Sequence, residues 1–260
     1  MNKILVILCF IKIFHALNSL STVGKIHLPL KTRTKIRFFL QFSALFTLYI
    51  YFLKHFFAKI NKFAIKTATM SRYIDIHTHH FTSRHIELRA VGIHPWDAEN
   101  ATIDKAIFCG AEAIGEIGLD YACKVSRERQ AEIFRTQLAI AERMGLPVVL
   151  HCVRAFAPMM AILSEYKLNT VIFHGFIGSR EQALEVAKRG YFLSFGERTF
   201  RSPKTIEALR NTPLENLFLE TDESATPIEE IYAMVAEIRG EKLEIIINGI
   251  INNYNRLFQL

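Results

Sequence analysis

Six side chains can do chemistry that the rest of the chain cannot: His77, His79, Glu116, His151, His174 and Asp222. His77 and His79 flank a single threonine. In an extended chain, residues two apart project to the same side, so both imidazoles can reach one metal ion. Glu116 lies in Gly115-Glu116-Ile117-Gly118-Leu119-Asp120, where small neighbours let a ligand approach the backbone. His151 and His174 close two successive apolar runs, and Asp222 closes another in Glu220-Thr221-Asp222. Four imidazoles and two carboxylates make a mixed nitrogen and oxygen donor set. Such a set suits Zn²⁺, Mn²⁺, Fe²⁺ or Ni²⁺ better than Ca²⁺ or a metal selected by thiolates.

The neighbours of these six have plainer readings. Taken alone, His77 and His79 would be a structural pair on a sheet edge; joined to the other four positions they read as ligands. His80 and His85 read as surface residues. Cys152 points away from its neighbour His151 on an extended strand, so it belongs to core packing rather than to a zinc site. Glu220 faces the same side as Asp222 and reads as a partner that supports the ligands. Asp75 reads as a structural acceptor deeper in the fold, and Asp120 and Tyr121 as loop residues near the mouth. Trp96, the single tryptophan, either lines the cleft or caps the core. The four cysteines (Cys9, Cys109, Cys123, Cys152) contain no C-x-x-C pair, which fits reduced thiols in a cytosolic protein.

The elements that must position these groups alternate along the chain. Seven short apolar runs read as strands: residues 73–77, 90–93, 112–117, 147–151, 170–174, 191–195 and 217–220. Their near-continuous hydrophobicity suits strands covered on both faces, as in a parallel sheet. Residues 127–144 form an amphipathic helix stopped by Gly145, with Phe134, Leu138 and Ala141 on one stripe. Ser179 to Gln182 is a capping box for a second helix, ended by Gly190, and Thr226 to Glu229 is another, with Pro227 at the first helical position. Residues 241–258 read as a terminal helix with Leu243, Ile247, Ile250 and Ile251 inward. This is an α/β pattern, with polar groups at the C-terminal end of each strand. In a (β/α) barrel that end carries the active site.

The pieces Asp75-Ile-His-Thr-His79, Gly92-Ile-His-Pro95, Gly115-Glu-Ile-Gly-Leu-Asp-Tyr121, Pro147-Val-Val-Leu-His151, Phe173-His-Gly-Phe176 and Leu219-Glu-Thr-Asp222 resemble, in order, the motifs of the TatD family of metal-dependent deoxyribonucleases. The family lies within the amidohydrolase superfamily. The resemblance implies a TIM-type (β/α) barrel with one or two divalent ions (Zn, Mn, Mg, Fe or Ni) at its mouth. It implies that His77 and His79 hold a first ion and that Glu116 bridges. His151 and His174 would hold the second, and Asp222 would bind the first and act as base. The implied reaction is cleavage of DNA phosphodiester bonds by a metal-activated water, a task for which two ions suit an in-line displacement. Arg154 is expected to contact a phosphate. His94 is similar to a family histidine near the substrate and is not expected to be a ligand.

The chain departs from the family pattern after the H-x-H. Only 14 residues separate His79 from His94, where the family has room for a strand and its helices. Residues 82–90 can supply at most a fragment of a second strand, so the expected barrel is reduced around its second β/α unit. The loop after Asp222 is also short. Both losses bear on substrate choice, and a small amide, ester or lactone is the alternative substrate. A further alternative is a degenerate, inactive copy.

Charge divides the chain in two. Residues 1–69 hold eleven of the 32 basic residues and no acid; residues 70–260 hold 21 basic against 25 acidic residues, a net of −4. The catalytic part is therefore not a general polyanion binder, and only weak contact with DNA is expected. The first 69 residues carry an apolar run at 4–14 and another at 38–53, extended by Phe56-Phe57. The second run is short of the roughly 20 residues a spanning helix needs. Three readings of this segment arise: a membrane anchor through 38–57, a targeting segment, or a mis-called extension upstream of a true start at Met70. Acids normally make up about an eighth of residues, so the complete lack of them favours the start at Met70, a cytoplasmic protein, and a single hydrolase domain over 70–260. Contact with a membrane is expected only if residues 1–69 belong to the protein.

Overall fold

A computed structural model of the chain describes residues 73–258. The basic segment 1–69, its two apolar runs, Cys9 and the start at Met70 lie outside the described residues. Among the described residues no helix is long and apolar enough to cross a membrane.

Among the described residues eight strands follow one another: β1 (Ile74–Asp75), β2 (Ile86–Glu87), β3 (Ala90–Val91), β4 (Ala113–Asp120), β5 (Val148–Val153), β6 (Val171–Phe173), β7 (Phe192–Phe195) and β8 (Leu217–Leu219). Every pairing is parallel. β3 to β8 form one sheet in sequential order, and β1 pairs with β2. Three hydrogen bonds carry the ladder from β8 to the end of β1: Ile76 N to Leu219 O at 3.1 Å, Asp222 N to His77 O at 3.0 Å and His79 N to Asp222 O at 3.0 Å.

The expected loss of the second unit takes a specific form. Residues 86–91 are one short extended segment: Ile86 and Glu87 pair with Ile74 and Asp75, and Ala90 and Val91 pair with Ala113 and Ile114. One segment thus serves two neighbours that a full barrel would separate by a strand, and the seven runs read from the sequence become seven staves of a circuit.

Six α-helices cover the sheet: α1 (Arg127–Met144), α2 (Phe156–Leu163), α3 (Arg180–Lys188), α4 (Pro203–Asn211), α5 (Ile228–Arg239) and α6 (Leu243–Phe258). α1 keeps the expected stripe, with Phe134, Leu138 and Ala141 buried and Gly145 at φ 67 stopping it. The capping box at Ser179 forms. The box at Thr226 does not: Pro227 is the N-cap of α5 and offers no side-chain bond. The Thr226 hydroxyl instead donates to Glu197 Oε2 at 3.2 Å, joining Ser224 and Arg201 on that carboxylate. α2 and α4 go beyond the helices legible in the sequence.

β1 has only two residues, and two side chains compensate for its shortness. The Tyr232 hydroxyl, from α5, donates to Ile74 O at 3.0 Å and accepts from Ile74 N at 3.2 Å. Asp75 accepts from Thr221 N at 3.0 Å and Thr221 Oγ1 at 2.6 Å, the buried structural role read from its position. That burial pushes its carboxyl up to about 7, against the two bonds from Thr221.

Candidate metal centre

The tight seam between β4 and β5 brings Glu116 to His151. A Cβ on Gly118 would lie 2.1 Å from the His151 carbonyl oxygen, and Gly118 has φ +145, so no other residue fits there. A Cβ on Gly115 would lie 2.6 Å from Val149 Cβ. The register shifts between Ile114 and Ile117, an irregularity that re-aims the side chain it contains. That side chain is Glu116.

Around Glu116 the six sequence-predicted residues come together. Its Oε1 lies 2.5 Å from His151 Nδ1 and 2.5 Å from His174 Nε2, and those two nitrogens are 3.3 Å apart. Its Oε2 lies 3.4 Å from His77 Nε2 and 3.7 Å from His79 Nε2. Asp222 Oδ1 completes this side, 3.4 Å from His79 Nε2 and 3.8 Å from His77 Nε2. The donor atoms of His77, His79 and Asp222 all lie within 4.8 Å of one another. The two oxygens of one carboxylate therefore face two separate donor sets.

The donor set fits a cation. His77 Nε2 is buried without a hydrogen-bond partner. On His151, Nε2 faces Asp120 Oδ2 at 3.3 Å, a carboxylate that keeps the ring proton on that side. Nδ1 then turns its lone pair toward the Glu116 carboxylate at 2.5 Å. Two acceptors at that separation repel unless a proton or a metal ion lies between them. Burial raises the Glu116 carboxyl, but the four imidazoles of His151, His174, His77 and His94 gathered around it outweigh that and hold the group far below the usual carboxylate range. Burial lowers the His174 imidazole, yet Glu116 and Glu220 push it up to about 10. Burial, and after it the Glu220 charge, raise Asp222.

Two neighbouring residues, Asp120 and His85, differ from their sequence reading, and His94 and Cys152 make contacts beyond theirs. Asp120 is the last residue of β4 rather than part of a loop; it is buried and accepts from Trp96 Nε1 at 2.7 Å. The apolar run read from the sequence ends at residue 117, whereas the strand continues through Gly118 and Leu119 to Asp120. His85 is not a surface residue: its side chain is 11% exposed, edge-on to Tyr73 and 3.5 Å from Glu229. His94, read as near the substrate, reaches 3.4 Å from Glu116 Oε1 and lies within 4.8 Å of the donor atoms of Glu116 and His151. Its nearness to Glu116 equals that of His77. Cys152 packs against the core as expected, but also forms part of the cavity wall.

Trp96 lines the cleft and does not cap the core, being 60% exposed. Glu220 is buried; its Oε1 accepts from Gly175 N at 2.6 Å and stands 3.6 Å from His174 Nδ1. His80 is exposed. Tyr121 follows β4 beneath the Arg127 guanidinium, 4.5 Å from its ring centre. Above the centre opens a cavity of about 850 Å³ whose wall includes His79, His94, Glu116, Arg154 and Asp222.

The family model described as TatD related DNase matches residues 59–259. The chain belongs to the TatD-related DNase family. It is 32% identical over 196 residues to YabD of Bacillus subtilis, named an uncharacterized metal-dependent hydrolase, covering 66% of this chain and 77% of that protein. It is 30% identical over 162 residues to the human deoxyribonuclease TATDN3, covering 56% of this chain and 59% of the relative. The crystal structure of YJJV, a TatD homolog from Escherichia coli K12, superposes with a TM-score of 0.60 at 28% identity, over 67% of this chain and 77% of that one. The fold is thus that of TatD proteins, an α/β architecture on a parallel sheet. The chain spans only part of the length of these relatives, in keeping with a member shortened at its second stave.

Proposed function

We propose that the chain is a divalent-metal-dependent hydrolase that cleaves the phosphodiester bonds of DNA. The observation that carries this reading is the single Glu116 carboxylate with one oxygen toward His151 and His174 and the other toward His77 and His79. His77, His79 and Asp222 would hold one ion and His151 and His174 a second, with the Glu116 carboxylate facing both sets. Divalent ions held there acidify a water and offset charge on the phosphoryl oxygens.

The chain's own groups do the rest. Asp222 takes a proton at its carboxylate, for which a raised affinity is an advantage near neutral pH. Arg154, exposed in the cavity wall, neutralises a phosphate. His94 and Trp96, edge to face with ring centres 4.6 Å apart, bound the substrate side. Relatives named deoxyribonucleases support DNA as the substrate.

The test is release of nucleotides from single-stranded DNA with added divalent metal, lost in Asp222→Asn and His77→Ala. A wild-type protein that binds metal and releases nothing refutes the reading. A second reading, a small uncharged amide, ester or lactone, draws support from the carboxylates that wall the main cavity, which repel a polyanion. Turnover of such compounds in preference to DNA would favour it. The complete donor set and the continuous buried core argue against a degenerate copy.

A further inference from the structure

A second cavity, of about 420 Å³, adjoins the main one and shares Cys152, Arg154, His174 and Ile177 with its wall. The two differ in charge. Five carboxylates line the first: Asp97, Glu116, Asp120, Asp222 and Glu223. None lines the second, where Arg154 and Lys204 stand among Phe156, Phe176 and Ile177. In a catalytic segment with a net charge of −4 this is a local reversal of sign.

Among the described residues neither cation is bound to a partner by a hydrogen bond or an ion pair. Glu181, at the start of α3, feels the charge of Lys204 without closing on it. Arg154 directly follows β5 with φ +51, a left-handed conformation that a non-glycine residue seldom adopts and that is common at functional sites. Arg154 lines both cavities.

We infer that this second cavity is a nucleotide subsite that holds the nucleoside phosphate next to the phosphodiester under attack. Arg154 and Lys204 take the phosphate, and the base lies against Phe156, Phe176 and Ile177. The volume falls within the 300–1,000 Å³ of ordinary small-molecule pockets, more room than a bare phosphate needs. Cations beside aromatic rings are the means by which proteins hold single strands without regard to sequence. A base can enter such a pocket only unpaired, so the substrate is a single strand of at least two nucleotides. This inference rests on the phosphodiesterase reading above.

The test compares the full-length, Mn²⁺-loaded protein with Lys204→Glu, an exposed position where folding is not at stake. The readouts are the ratio of kcat/KM on a single-stranded pentadeoxynucleotide to that on bis(p-nitrophenyl) phosphate, and the salt dependence of binding a phosphorothioate pentadeoxynucleotide, followed by anisotropy. Lys204→Glu should lower the ratio about tenfold or more and reduce the slope of log K against log salt by roughly 0.7, one phosphate contact on a single strand. Lys204→Arg should restore both. A ratio within twofold of wild type, with an unchanged slope, overturns the subsite alone. A metal-loaded wild type that leaves the pentadeoxynucleotide intact overturns the DNA reading, and the subsite with it.

Discussion

Oδ2 of Asp120 stands 3.3 Å from Nε2 of His151, on the ring nitrogen that does not face Glu116. The same oxygen accepts from Trp96 Nε1 at 2.7 Å, and the Asp120 backbone N–H is held by Gln130 Oε1 at 2.7 Å. The carboxylate is therefore fixed before it fixes the imidazole. Burial raises Asp120, but bonds from Trp96, Ala122 and His151 bring it below the usual carboxylate range, so it stays an acceptor. Groups that orient a ligating histidine in this way are worth about 10–100-fold in metal affinity. Asp120→Ala should lose that much in a competitive chelator titration while keeping its far-UV circular dichroism. An affinity within twofold of wild type would contradict the role.

The seam between β4 and β5 gives a prediction about stability. Gly118→Ala places a methyl 2.1 Å from a backbone oxygen at φ +145, whereas Gly110, at φ +80, has nothing within 4 Å of its Cβ direction. Gly110→Ala should cost about 1–2 kcal/mol, the left-handed penalty alone. Gly118→Ala should cost about 3 kcal/mol or more and disturb the metal centre, because the clashing atom belongs to His151. Urea denaturation of both variants measures the difference; equal costs would contradict the close approach.

Tyr232→Phe removes one oxygen and leaves two buried backbone groups of Ile74 without partners. The expected cost is about 1–3 kcal/mol. Since β1 leads directly into His77, hydrogen exchange at residues 73–79 should rise more than elsewhere. A variant as stable as wild type would show that β1 is held by other means.

Burial pushes the Cys152 thiol up to about 12. At pH 8 only about one molecule in ten thousand then carries a thiolate there, the form that reacts. Cys109 is exposed. Iodoacetamide at pH 8 should label Cys109 far faster than Cys152 in the folded protein, a difference that denaturation removes. Equal labelling of the two would contradict the burial of Cys152.

Much of the site is legible in the sequence because the candidate ligands other than Glu116 sit at or just past the end of an apolar run, and parallel strands bring such ends to one side of the sheet. What escapes sequence reading depends on partners far along the chain. Residues 86–91 cannot reveal that they pair with β1 at one end and β4 at the other. Asp120 lies beyond the apolar run 112–117, yet the ladder to β5 continues through Leu119 and Asp120. α2 hides because Phe156–Leu163 is apolar throughout and contains Pro158, which is tolerated only because it lies in the first helical turn. At Thr226 the local capping pattern loses to Glu197, which collects the hydroxyls of Thr226 and Ser224.

Sharing of Glu116 between two cation sites is visible in anomalous diffraction from crystals soaked in Mn²⁺ or Zn²⁺. One peak is expected among His77, His79, Asp222 and Glu116, and another among Glu116, His151 and His174. Peaks elsewhere, with these six residues bare at saturating metal, would contradict it.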